Sequence, residues 1–161
     1  MVSHMLTRRA SIGLLNEIGE DYLFIVCPRR FSKSRFIDTL VAYYDKALAE
    51  SFDATFRGPW IADHKDDLAS RYFVLRFDCS GLSSSDVQEN FLAAVRGAAF
   101  DFTGRHGFDD AARFIDREYA NPTALTIDLI EKVHPHTKGG LLVVIDEYGL
   151  FSNEVLSGDI E

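Results

Sequence analysis

Three short apolar runs divide the chain: Asp21-Tyr-Leu-Phe-Ile-Val-Cys27, closed by Pro28; Arg71-Tyr-Phe-Val-Leu-Arg-Phe-Asp78; and Leu141-Leu-Val-Val-Ile145, closed by Asp146. Runs of this length, rich in branched and aromatic residues, are expected to form strands, the first and third of them buried. Between them the apolar spacing changes to three and four. Phe36, Ile37, Leu40, Val41, Tyr44 and Leu48 make one helical stripe, and Val87, Phe91, Val95, Ala98 and Phe102 make another. Ser85 with Gln88 fits a capping box for the second stripe. A further helical segment is expected over Phe108 to Tyr119, and Asn121-Pro122 reads as the N-cap and first position of a helix reaching about His134. Phe52 to His64 and His136 to Gly140 read as irregular, and Gly81 to Ser85 as a turn. Strands alternating with helices, without hairpin signals between them, predict an α/β fold whose mostly parallel sheet is covered on both faces.

Size and charge narrow the function classes. With 161 residues, 47% of them hydrophobic, the chain is expected to bury one core, a single domain over 12–161 preceded by an N-terminal segment 1–11 in which Met1 to Met5 reads as a tag remnant. Acidic residues number 25 against 17 basic ones, a net charge of -8 that should repel nucleic acid and anionic membranes, so neither is expected as a partner. No apolar run approaches the roughly 18 residues of a spanning helix, and the opening MVSHMLTRRASIG lacks a signal-peptide core, so a cytoplasmic location is expected. Cys27 and Cys79 lack C-x-x-C spacing, which argues against a disulfide framework or a thiolate zinc site. Cys27 reads as a buried or loop thiol, and His134 and His136 as surface histidines.

The charged residues gather just after the strands, where ligands of parallel sheets bind. Arg29, Arg30, Lys33 and Arg35 follow the first run; Asp146 and Glu147 follow the third. The stretch Val26 to Phe36, VCPRRFSKSRF, ends like the phosphate-binding (Walker A) pattern G-x-x-x-x-G-K-[ST], with Lys33 and Ser34 in the last two places. There the lysine is aimed at phosphate and the hydroxyl at magnesium. Cys27 and Ser32 stand where the pattern has glycines. An apolar strand ending in Asp146-Glu147 has the Walker B form, an aspartate holding hydrated magnesium beside a glutamate that orients water. Asp78, ending the second run, reads as a turn cap.

These residues together resemble a family. Pro28-Arg29-Arg30-Phe31-x-Lys33-Ser34, the stretch Phe56 to Ile61, Arg76-Phe77-Asp78-Cys79-Ser80 and Ile145-Asp146-Glu147-Tyr148 resemble the AAA-ATPase-like family of predicted P-loop ATPases, over about Ile12 to Ser157. The family's loop usually reads R-P-R-R-F-G-K-S and its acidic strand I-D-E-Y-D, and members often continue into a PD-(D/E)xK nuclease-like domain. The resemblance implies a three-layer αβα sandwich of the P-loop NTPase type that binds ATP and magnesium. Arg29, Arg30, Phe31, Ser32, Lys33, Ser34 and Arg35 would line the nucleotide phosphates, Ser34 and Asp146 would hold magnesium, and Glu147 would be the catalytic carboxylate. Against the family pattern, Cys27 replaces arginine, Ser32 glycine, and Gly149 aspartate. A side chain at Ser32 is expected to weaken binding by close to tenfold if the backbone there is left-handed, about 1–2 kcal/mol. The expected function is therefore an ATP-binding P-loop domain with weakened or absent hydrolysis; the alternative is a degenerate fold acting as a protein-interaction module. Ending soon after the Walker B strand, the chain is also expected to lack later strands and to self-associate through the uncovered sheet.

Overall fold

The computed structural model describes residues 12–13, 15–18, 22–25, 33–57, 65–80, 86–138 and 140–147. They belong to two units, Met1–Tyr72 and Phe73–Glu161. In the first unit, α1 (Lys33–Tyr44) buries Phe36, Ile37, Leu40, Val41, Tyr43 and Tyr44, the stripe its spacing dictates. It stops four residues short of Leu48 because Asp45 intervenes. The Asp45 carboxylate accepts the Ala47 N–H at 3.0 Å and caps a 3-10 helix, Lys46–Ser51, and Asp45 is itself fully buried. Aspartate competes for backbone donors in this way and so favours caps over helix interiors.

Asp45 also bridges in parallel to Tyr72, with the Lys46 N–H donating to the Tyr72 carbonyl at 2.8 Å. A short helix, α2 (Phe52–Thr55), lies within the stretch expected to be irregular. The rings of Phe52 and Phe56 pack on Tyr43 at 5.6 and 5.9 Å, and Tyr43 meets Tyr44 edge-on at 5.1 Å. Tyr43 donates to the Asp66 carboxylate at 3.0 Å; Asn16 donates to Asp66 and Tyr44 donates to Asn16. Burial, the largest cause, pushes the Tyr43 hydroxyl up to about 12 and the Tyr44 hydroxyl up as well.

The expected first strand is not formed where it is described. Residues 22–25 lie outside any strand, and Tyr22, Leu23 and Phe24 are 94%, 46% and 72% exposed, against the burial predicted for them. A strand depends on a neighbour for a continuous ladder through its backbone N–H and C=O groups, and the sheet and the isolated bridge seen among the described residues do not include this segment. Asp21, Val26 and Cys27 lie outside the described residues.

In the second unit, β1 (Phe73–Asp78) and β2 (Leu141–Asp146) pair in parallel, from Phe73 opposite Leu141 to Asp78 opposite Asp146. The connection between them carries α3 (Val87–His106), α4 (Asp109–Ala112) and α5 (Pro122–Val133). Leu75 and Phe77 of β1 join Val95, Ala99, Phe102, Phe114, Ile115, Leu125, Leu129 and Val133 in one core. The α/β alternation and parallel pairing follow the sequence pattern, although the described residues hold two strands where three were expected. Val143 and Ile145, opposite Leu75 and Phe77, are 43% and 54% exposed, so β2 is not the fully buried strand its composition suggests. The helices cover the β1 side of this face and leave much of β2 open.

Local chemistry sets the helix ends. The Asn121 side chain accepts the Ala124 N–H at 2.9 Å and Pro122 opens α5, as Asn-Pro predicts. The N-cap of α3 is Asp86, in left-handed backbone with no side-chain cap bond, rather than Ser85, which lies outside the described residues with the rest of the Gly81 to Ser85 turn. Gly107, φ 70°, ends the helix by donating to the Thr103 carbonyl. The segment expected to be helical to Tyr119 is helical only over Asp109–Ala112 and continues as turns. Tyr119 is instead anchored at 2.5 Å to the Asp128 carboxylate of α5.

Candidate functional site

In a parallel pair both strands end on the same side, and here each ends in a carboxylate. Asp78 and Asp146 are opposite one another, Asp146 almost fully buried and Asp78 exposed. Asp78 accepts the Ser80 N–H at 2.9 Å, the turn-capping role its position suggests. Asp146 accepts the Arg76 guanidinium at 3.2 Å, and its carbonyl accepts the Cys79 N–H at 3.0 Å. The next residue, half-buried Glu147, sits at φ 57°. That conformation costs a residue other than glycine about 1–2 kcal/mol, and it ends the extended backbone right after Asp146.

The basic half of the expected site lies in the first unit. Lys33, Ser34 and Arg35 form the first turn of α1, with Ser34 and Arg35 exposed and Lys33 partly so. No acidic residue occupies that turn. Helix N-termini present unsatisfied N–H groups and the positive end of the helix dipole, which favour an anion. Arg29, Arg30, Phe31 and Ser32, like Cys27, Tyr148 and Gly149, lie outside the described residues.

A family model described as predicted AAA-ATPase matches residues 10–160. The chain belongs to the AAA-ATPase-like family. No curated protein and no solved structure matches it. Magnesium, which this family of predicted ATPases implies, takes hard oxygen donors, commonly one or two carboxylates completed by phosphate oxygens and water. Asp146 and its register partner Asp78 are donors of that kind, so residues of this AAA-ATPase-like chain fit the metal. Among the described residues no group of three or more His, Cys, Asp or Glu side chains gathers as a metal cage, and no helix is long and apolar enough to cross a membrane. His134 and His136 are exposed, as expected, with the His136 ring 5.1 Å from Phe108.

One participant in this AAA-ATPase-like strand-end cluster escaped the motif reading. Arg76 opens the stretch R-F-D-C-S; a cation inside an apolar strand needs a buried partner, and strand alternation puts it on the face of Asp78 and Asp146. Cys79 sits beside the same carboxylates and is 5% exposed. Burial, helped by Asp78 and Asp146, pushes its thiol up. In a Cys27→Ser background, Cys79 is expected to react with a disulfide reagent at least about tenfold more slowly in native protein than in denaturant. Equal rates would show that the thiol is open to solvent.

Proposed function

We propose that this chain is an ATP-binding domain of P-loop NTPase type, built as a three-layer αβα sandwich, whose hydrolysis is slow or absent. The observation that carries this reading is the family match over residues 10–160. The placement of Lys33 and Ser34 at the start of a 12-residue helix and of Asp146 at a strand end supports it. In the first unit, Lys33 neutralises phosphate charge, Ser34 offers its hydroxyl to the metal, and Arg29, Arg30, Phe31, Ser32 and Arg35 line the phosphates. In the second, Asp146 is a metal ligand and Glu147 orients the attacking water and accepts its proton. Bound magnesium would screen the phosphate oxygens. Ser32 and Gly149, at places where the family has glycine and aspartate, are the reasons to expect weak turnover.

Calorimetric titration of the chain with ATP in excess magnesium tests the reading. Saturable binding, accompanied by a rise in melting temperature, is the expected result. Absence of both would overturn it and leave the family fold as a non-catalytic interaction module.

A further inference from the structure

Arg76 is an unusual residue for its strand. Its neighbours in β1 include Val74 and Leu75, both fully buried, and Phe77, which is nearly so. A guanidinium cannot shed its charge, so burying it there requires an anion. The anion is Asp146: the side chains meet at 3.2 Å, Arg76 26% and Asp146 2% exposed. Arg76 pairs with Val144 and Asp78 with Asp146, which makes Arg76 and Asp146 diagonal neighbours on one sheet face.

We infer that Arg76 is the resident counter-ion of Asp146 and holds the intrinsic magnesium affinity of this strand end low, so that the metal enters with the nucleotide rather than before it. The inference deepens the proposed function and rests on its reading of Asp146 as a metal ligand. Two effects compete. The Arg76 hydrogen bond fixes the carboxylate, which favours any ligand that uses the same orientation. Its positive charge repels a divalent cation on that carboxylate with twice the force it would exert on a monovalent one. A single orienting hydrogen bond is the smaller of the two, so removing Arg76 strengthens metal binding and does not weaken it. Phosphate oxygens arriving with the metal supply the negative charge that outweighs Arg76, which makes nucleotide the condition for metal entry.

The test uses magnesium alone, without nucleotide, on the whole chain. Arg76→Met is expected to melt lower than the parent in metal-free buffer, because it removes the Arg76–Asp146 ion pair. Magnesium should then raise its melting temperature several times more than it raises that of the parent, while Arg76→Lys, which keeps the charge, follows the parent. Manganese titration read by electron paramagnetic resonance should give at least about tenfold tighter binding in Arg76→Met. If Arg76→Met does not fold, Arg76→Gln carries the same comparison. A merely structural ion pair predicts lower stability with an unchanged metal response, and that outcome would overturn the inference. So would a metal response that survives Asp146→Asn in the Arg76→Met background. An Asp146-dependent gain in metal affinity, in a chain whose parent fails to bind ATP, would keep Arg76 as the counter-ion of a metal ligand and retire the nucleotide reading alone.

Discussion

Alanine in place of Lys33 is expected to weaken ATP binding by about 10- to 150-fold, the equivalent of losing one hydrogen bond to a charged group at about 1.5–3 kcal/mol. The fold should survive. Lys33 is the first residue of α1, and no residue of that helix's first turn is acidic. A cation at a helix N-terminus opposes the helix dipole, and alanine has the higher helix propensity, so the substitution is neutral or mildly favourable for the helix. Binding and stability therefore separate, and the pair of measurements is decisive: calorimetry with ATP and magnesium, beside a melting curve without ligand. A variant that binds as tightly as the parent would remove Lys33 from the phosphate site. A variant that loses binding together with its melting transition would show that Lys33 supports the fold instead.

The second large effect concerns the core. Phe102→Ala is expected to destabilise the second unit by about 3–5 kcal/mol, the usual cost of deleting a fully buried aromatic ring. Phe102 is fully buried, and its ring lies 4.8 Å from His106 and 5.8 Å from Phe108, so both rings lose a packing partner at once. Domains of this size are held by about 5–15 kcal/mol in total, so the loss is a large share of what keeps the unit folded. Phe100→Ala, two positions earlier on the same helix and 45% exposed, serves as the control and should move stability by no more than about 0.5 kcal/mol. Urea unfolding followed by circular dichroism separates them; similar midpoints for the two variants would contradict the core assignment.

These contrasts explain which parts of the molecule could be read from sequence. The stripe from Phe36 to Tyr44, the strands at Phe73 and Leu141, the long helix through Phe102 and the Asn121-Pro122 start all follow from local periodicity or capping chemistry. Helix ends were less legible. Asp45 carries a signal of its own, since aspartate inside an apolar stripe favours a cap, and it ends the helix although the stripe continues to Leu48. Residues 108–119 have the apolar spacing of a helix and still turn after Ala112, where Tyr119 is drawn to Asp128 by a contact that local sequence does not specify. Residues 22–25 have strand composition, yet whether such a segment becomes a strand is settled by a neighbour distant in sequence. The candidate site divides the same way: Asp146 and Glu147 were legible as an apolar run ending in acid, whereas the Arg76 partnership depends on the register between two strands.

The left-handed backbone at Glu147 sets two selective forces against each other. Folding alone would favour glycine at this place, and the gain, about 1 kcal/mol, is open to any lineage by substitution. The carboxylate proposed to orient water is what would offset that cost. If Glu147 has the role in turnover proposed above, glycine or asparagine at this position is expected in relatives that have given up turnover while keeping the fold.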